Sequence, residues 1–178
     1  MATLQGKNIN LRALEPEDLN FLFSTENDES FWEISSTQTP YSKYILQKYI
    51  DNAHQDIYEA KQYRFVICNK KNTLIGMVDL FDFNPQHKRV GVGILIKSKY
   101  QTKGYGLEAL EMIINYAFSY LNVHQIFANI TSDNLKSISL FEKLNFIKSG
   151  TKKDWIYSNS VFKEENLYQL IKDTNNES

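Results

Sequence analysis

A glycine-containing turn between an apolar run and a long amphipathic segment constrains this chain most. Gly104 and Gly106 lie within the stretch Gln101–Leu110, shortly after the apolar residues Ile94-Leu-Ile96. The pattern predicts a strand, a turn and a helix start, because apolar residues then recur on one helical face. The first N–H groups of a helix lack intrahelical acceptors, and glycine lets other atoms approach the backbone closely. The stretch therefore predicts a site for phosphate oxygens.

Two other interpretations of this turn are open. A Gly-x-Gly pair before a helix also occurs as a plain strand-to-helix connection. Gly104, Gly106 and Ala109 match the loose dinucleotide fingerprint G-x-G-x-x-[GA], with Asp133 after the next strand. Asp133 comes later than the usual spacing of about twenty residues. Only one strand–helix–strand unit is predicted, which is too few for the two mononucleotide-binding halves of a dinucleotide fold.

The remaining pattern predicts a mixed α/β (α+β) fold with a central, mostly antiparallel sheet. A strand at Lys7–Leu14 precedes two helices, of which the second is capped by Ser42. Three meandering strands follow up to Lys97. In the second helix, one buried face is expected to hold Ile45, Tyr49, Ala53 and Ile57.

One pair of strands is expected to be parallel. The strands Arg89–Lys97 and His124–Thr131 are bridged by the helix after the glycine turn, which makes a right-handed βαβ unit. The continuous apolar run Ile94–Ile96 indicates burial on both faces. A helix at Leu135–Leu144 and two final strands complete the order.

Composition narrows the class of protein. The 178 residues are expected to form a single domain over residues 1–172, followed by a polar tail at 173–178. The net charge of −1 and the lack of a basic, aromatic stripe argue against nucleic acid. Cys68 is the one cysteine, so neither disulfides nor a metal site is expected. Without a long apolar segment, we expect a soluble, cytoplasmic protein that does not bind membranes.

Several short motifs, in one order, resemble the GNAT superfamily of N-acetyltransferases. They are Gln101-x-x-Gly104-x-Gly106 and the later run Asn134-x-x-Ser137-x-x-Leu140-Phe141-Glu-Lys-Leu-Asn-Phe146. The opening Leu11-Arg12-Ala-Leu-Glu-Pro-Glu-Asp-Leu19 is similar to the branch of ribosomal-protein N-terminal and spermidine N-acetyltransferases. The resemblance extends from Lys7 to Ile171. It implies the GNAT fold, one acetyltransferase domain and acetyl-CoA as co-substrate.

The resemblance also implies a cofactor site. The pyrophosphate would bind the loop formed by Gln101, Thr102, Lys103, Gly104, Tyr105, Gly106 and Leu107. The parallel strands would splay apart, with the pantetheine arm along Ile94, Leu95 and Ile96. A backbone N–H near Leu95 would stabilise the oxyanion. Asn134, Ser137 and Phe141 would line the other side of the arm.

The expected chemistry is attack of a neutral amine on a thioester. A lysine-like amine has a pKa near 10, so a base or a water chain must take its proton, and Asp79 and Glu33 are the candidates. Many relatives carry a proton-donating Tyr where this chain has Phe141. A thiolate with a cysteine-like pKa near 8.5 is a tolerable leaving group, and Ser137 or a water could supply the proton. Asn145 stands where Gly is usual, and Asn tolerates a left-handed conformation.

The acceptor side is expected in the segment 26–58. Its acids Glu26, Asp28, Glu29 and Glu33 suit a cationic amine, and Phe31, Trp32 and Tyr41 would wall the site. A polyamine or other small amine, an amino sugar and a protein N-terminus all fit. The alternative function, prompted by Phe141, is a non-catalytic acyl-CoA-binding sensor or interaction protein. The resemblance leaves a homo-oligomer open.

Overall fold

A computed structural model of the protein describes residues 4–173. Its strands are β1 (Ile9–Arg12), β2 (Tyr63–Asn69), β3 (Leu74–Asn84), β4 (Arg89–Ile96), β5 (Gln125–Thr131), β6 (Ile147–Ser158) and β7 (Val161–Ile171). Its α-helices are α1 (Leu19–Glu26), α2 (Trp32–Ser35), α3 (Lys43–Asp51), α4 (Ile57–Ala60), α5 (Tyr105–Ser119) and α6 (Leu135–Lys143). Residues 174–178 of the predicted tail lie outside the described range.

The seven strands form one sheet in the order β1-β2-β3-β4-β5-β7-β6. Every neighbouring pair is antiparallel except β4 and β5, which α5 connects as a crossover. The predicted mixed fold with one parallel pair is therefore confirmed.

Two hydrophobic clusters cover the two faces of the sheet. The larger one includes Val90, Val92 and Ile126 of the sheet and Leu110 and Ile113 of α5. The smaller one includes Leu22 of α1, Leu46 and Ile50 of α3, and Val66 and Met77 of the sheet. Alternate strand residues point to opposite faces, which is why neighbours such as Met77 and Val78 belong to different clusters.

The predicted buried face of the second helix was wrong at Ile45, whereas Tyr49 and Ala53 pack against the smaller cluster and Ile57 is buried. Ile45 is 48% exposed, and Leu46 and Ile50 are the buried residues. The pairs Ile45/Tyr49 and Leu46/Ile50 both satisfy the helical period of i, i+4, and the two faces lie one residue, or about 100°, apart around the helix axis. The helix also ends at Asp51, so Ile57 belongs to the separate helix α4. Ser42 caps α3 as predicted, because its Oγ accepts the Ile45 N–H at 3.2 Å.

A buried ion pair fixes the opening motif. Arg12 donates to both carboxylate oxygens of Asp18, at 2.7 and 2.8 Å, and the Glu15 N–H donates to the same carboxylate at 2.9 Å. Burial opposes ionisation of Asp18, but these donors outweigh it and lower the pKa of its carboxyl. The pair joins β1 to the turn that starts α1.

Candidate active site

The parallel strands separate soon after they meet. Pairing of β4 with β5 is limited to Arg89–Gly91 against Gln125–Phe127. Beyond Gly91, β4 keeps its partner β3, while β5 keeps its partner β7. A cleft of about 390 Å³ opens between the diverging strands. Its lining comes from β4 (Val92, Gly93, Ile94), β5 (Ala128, Asn129, Ile130, Thr131), α6 and its cap (Asn134, Ser137, Phe141), the α2 region (Glu33, Ile34, Ser35, Ser36), and Phe81, Ile156 and Glu165.

The splay explains the burial of the apolar run. Ile94, Leu95 and Ile96 are only half-buried, where burial on both faces was expected. The neighbouring strand has moved away at this point, so one side of the run faces the cleft.

The hydrogen-bond alternation of β4 determines which backbone groups face the cleft. The Lys97 N–H donates to the Ile75 carbonyl at 2.9 Å, and the register runs without a break to Leu95 opposite Met77. In an antiparallel pair every second residue bonds to the partner strand. The Leu95 N–H is therefore directed at β3, whereas the N–H groups of Ile94 and Ile96 are directed at the open edge.

The glycine turn has the geometry of an anion site. Gly104 has φ +82°, a conformation that glycine adopts freely. The Glu108 N–H makes the first helical bond, to the Gly104 carbonyl at 3.1 Å. The N–H groups of Tyr105, Gly106 and Leu107 precede that bond, at the positive end of the α5 dipole. A Cβ at Gly104 would meet nothing within 4 Å, so the approach to this turn is open.

The other loop residues hold the turn in place. Gln101 Nε2 donates to the Ile96 carbonyl at 2.9 Å, which ties the loop to the end of β4. Thr102 has φ +61° and donates its hydroxyl to the Gln101 carbonyl at 2.7 Å. The ammonium of Lys103 lies 5.6 Å from the ring centroid of Tyr100. The structure thus brings together all seven predicted loop residues at the mouth of α5.

On the α6 side, three predicted residues line the cleft. The Asn134 Oδ1 accepts the Ser137 N–H at 3.2 Å, so Asn134 caps the helix and also borders the cleft. Phe141 is 3% exposed and packs edge-on against Phe146, with ring centroids 5.0 Å apart. Asn145 has φ +64°, as predicted for the turn after α6.

Asp79 is engaged by an arginine. Arg64 donates to both Asp79 oxygens, at 2.7 and 2.8 Å, and its third nitrogen pairs with Glu26. Asp79 is not among the residues that line the cleft. The bidentate guanidinium occupies both carboxylate oxygens of Asp79, so neither is free to contact an amine.

Glu33 does line the cleft, but it is paired as well. Its Oε1 lies 2.7 Å from the Lys163 ammonium, and its Oε2 accepts the Ser158 hydroxyl at 2.5 Å. The hydrogen bonds from Lys163 and Ser158 lower the pKa of Glu33. Lys163 also pairs with Asp133 at 2.6 Å, and the bonds to Asp133 and Glu33 raise the pKa of Lys163.

Most residues of the predicted acidic acceptor wall do not line the cleft. Glu26 pairs with Arg64, Asp28 caps the short turn Glu29–Phe31, and Phe31 is buried in the interior. Of the four acids, Glu33 alone lines the cleft. The helix α1 and its following turn orient the others away from it, toward β2 or solvent.

Most of the lining residues were not predicted from the sequence, and they lie mainly on β5 and in the α2 segment, with two on the β6–β7 hairpin. Glu165 borders the cleft and pairs with Lys152 at 2.6 Å. The sequence signal for Glu165 was its spacing of two residues from Lys163, which places both side chains on one face of a strand that pairs with β5. Phe81 was missed because its ring covers Gly91 of the next strand, a contact that only the register reveals.

A sheet that splits at its one parallel pair, with a helix N-terminus at the mouth of the split, defines an acyl-CoA-dependent transferase of the GNAT type. The family of GNAT acetyltransferase domains matches residues 8–147, and the chain belongs to that family.

Known relatives agree with this assignment. The chain is 30% identical over 145 residues to a spermidine N(1)-acetyltransferase of Vibrio cholerae, with 80% of each chain covered. A crystal structure of spermidine N-acetyltransferase from Vibrio cholerae in complex with CoA and spermine shares the fold, with a TM-score of 0.85 and 24% identity over 92% of this chain and 95% of that one. A dodecameric structure of spermidine N-acetyltransferase from that organism has a TM-score of 0.78 and 28% identity, over 92% and 94%.

The protein is thus an N-acetyltransferase with acetyl-CoA as its co-substrate. Within residues 4–173 no group of three or more His, Cys, Asp or Glu is placed to hold a metal ion. None of the helices in the same range has the length and apolar run needed to cross a membrane.

Proposed function

We propose that the protein transfers the acetyl group of acetyl-CoA to a small primary amine by direct attack on the thioester. One observation carries this proposal: a single cleft joins the α6 side of the sheet to a wall on the other side that holds the carboxyl groups of two glutamates. The Asn134–Phe141 side suits the pantetheine arm. The α2 and hairpin side, with Glu33 and Glu165, suits a cationic acceptor.

The cofactor's phosphates would bind the N–H groups of Tyr105, Gly106 and Leu107. Its arm would lie along the open edge of β4, where it can exchange hydrogen bonds with the backbone of Ile94 and Ile96. A Cβ at Gly104 would meet nothing within 4 Å, so the approach to these N–H groups is clear and the residues present fit the group.

The oxyanion donor follows from the alternation of β4. Because the Leu95 N–H is directed at β3, we assign to Ile94 the role first expected near Leu95. Donors held by a sheet do not need to reorganise during the reaction, which makes them effective in acyl transfer.

During the transfer, the amine nitrogen bonds to the carbonyl carbon, the carbon–sulfur bond breaks and the amine gives up one proton. Of the two expected bases, Glu33 is favoured by its position, because it borders the cleft and Asp79 does not. Both carboxylates are paired, Glu33 with Lys163 and Asp79 with Arg64. The leaving thiolate receives no proton from Phe141. The Ser137 hydroxyl, one turn earlier on α6, or a water would supply it.

A polyamine is the favoured acceptor. The curated relative with 30% identity is a spermidine N(1)-acetyltransferase, and acids border the acceptor half of the cleft. A protein N-terminus fits the wall less well, because a peptide carries only one ammonium at that end. We also propose that the protein forms a homo-oligomer, because a structure of the Vibrio cholerae spermidine N-acetyltransferase is dodecameric.

A thiol-release assay with acetyl-CoA tests the proposal. The acceptor panel holds spermidine, spermine, an amino sugar and a short peptide with a free N-terminus, and products are identified by mass spectrometry. We expect release and a monoacetylated product with the polyamines. Tight binding of acetyl-CoA with no release on any amine would instead favour the acyl-CoA sensor.

A further inference from the structure

Lys163, on the β6–β7 hairpin, connects the hairpin to two other segments around the cleft. The Lys163 ammonium, on β7, lies 2.7 Å from Glu33 of α2 and 2.6 Å from Asp133 in the turn before α6. Its side chain is only 17% exposed. The Ser158 hydroxyl of β6 adds a bond of 2.5 Å to the same Glu33 carboxylate.

The helix α2 depends on such contacts for its position. It has four residues, too few to be stable by itself, and it ends at Ser36 with φ +55°. On the inner side, the Trp32 indole donates to the Glu26 carbonyl at 2.9 Å, which holds the start of the turn. Toward the hairpin, the Glu33 carboxylate accepts hydrogen bonds from Lys163 and Ser158.

Glu33 and the next three residues of this segment line the cleft opposite the β6–β7 hairpin. Lys163 itself is not a lining residue, so it acts on the cleft through Glu33. If the ion pair is lost, the α2 wall keeps its tether at Trp32 and the Ser158 hydrogen bond, but it loses the charged one of its two contacts with the hairpin. The acceptor half would then widen, while the glycine turn at the far end of β4 is unaffected.

We propose that Lys163 is a positioning residue that clamps α2 against the hairpin and thereby sets the affinity and size selectivity for the amine. This inference rests on the proposed function, because it takes the α2 side as the acceptor side. It assigns Lys163 no contact with the reacting atoms.

The test compares Lys163→Met with Lys163→Arg and with a matched control, Lys153→Met. Lys153 lies on the same hairpin and pairs with Glu164, which is on the hairpin as well, so its loss removes equal charge without touching α2. For Lys163→Met we expect KM for the amine to rise about three- to tenfold, as for loss of one partly buried ion pair. KM for acetyl-CoA should stay within about twofold, and bulkier amines should lose less than small ones. Lys163→Arg should behave like the parent protein.

Hydrogen–deuterium exchange of the peptide covering residues 29–39 gives a readout that needs no substrate. Exchange there should accelerate in Lys163→Met and remain unchanged in Lys153→Met. Unchanged exchange in Lys163→Met, or an equal rise in amine KM in both Met variants, would overturn the clamp. If no amine is acetylated by the parent protein, the proposed function fails, and the exchange measurement still decides whether Lys163 holds α2.

Discussion

Replacing Gly106 by alanine should raise stability while it weakens cofactor binding. Gly106 is the second residue of α5, and a Cβ there would lie 3.4 Å from Leu140 Cδ2 and 3.7 Å from Ile96 Cγ1. These are ordinary van der Waals separations, so the methyl group fits. Removing a helical glycine stabilises by about 0.5–1 kcal/mol, which for a chain of this size raises Tm by about 1–4 °C.

The same methyl group stands beside the N–H groups proposed to bind phosphate. If it blocks one charge-assisted hydrogen bond, the loss is about 1.5–3 kcal/mol, or roughly ten- to hundredfold in Kd. Thermal unfolding without ligand and titration calorimetry with CoA measure the two effects separately. We expect Gly106→Ala to raise both Tm and the Kd for CoA, which would indicate that glycine at this position serves ligand binding and not stability.

Two further alanine variants control this experiment. Gly104→Ala should lower stability by about 1–2 kcal/mol, because φ is +82° although the space for a Cβ is open. Gly150→Ala, on β6 with open space around it, should leave the Kd for CoA unchanged. An unchanged Kd for Gly106→Ala, together with a raised Tm, would refute the placement of the phosphates at this turn. A lowered Tm would refute the packing argument.

Three other predictions concern catalysis, packing and pH. Phe141→Tyr should raise kcat by up to about a hundredfold if protonation of the thiolate limits turnover, and the KM for acetyl-CoA should change little. An equal or lower kcat in steady-state assays would contradict this prediction. Arg64→Met leaves Asp79 and a partly buried Glu26 without their guanidinium partner and should destabilise by about 3 kcal/mol in urea unfolding. A loss below about 1 kcal/mol would show that the pair is replaceable. The folded-state pKa of Asp18 lies below its unfolded value of about 3.9. Its contribution is therefore present above about pH 4 and lost as pH falls further, so Asp18→Asn should flatten that part of a stability–pH curve, and an unchanged curve would exclude Asp18 as a source.

Local sequence signals predicted local structure well. The glycine turn, the Ser42 cap and the left-handed Asn145 each depend on residues within one turn of the chain. The parallel pair also followed from chain order, because a helix lies between its two strands. Such features need no knowledge of the tertiary structure.

Other features depended on contacts that no local pattern contains. The oxyanion donor was assigned to Ile94 rather than Leu95 because alternate residues of β4 direct their N–H groups at β3. The hydrogen bond from the Lys97 N–H to the Ile75 carbonyl shows which residues these are. The pair of Glu33 with Lys163 joins residues 130 positions apart. Asp79 was expected as a base, and no residue close to it in the chain indicates that it pairs with Arg64, which lies on the neighbouring strand β2.

The three-residue contact between β4 and β5 has a consequence for how the chain avoids unwanted association. An unpaired strand edge is normally a template for aggregation, and proteins cover, charge or shorten such edges. Here the free N–H and C=O groups of β4 lie in the middle of a seven-stranded sheet, with α6 on one side and the hairpin and α2 around the other. The surrounding elements cover this edge as a helix or loop covers the edge of other sheets, and the cofactor arm proposed above would be the segment that pairs with it.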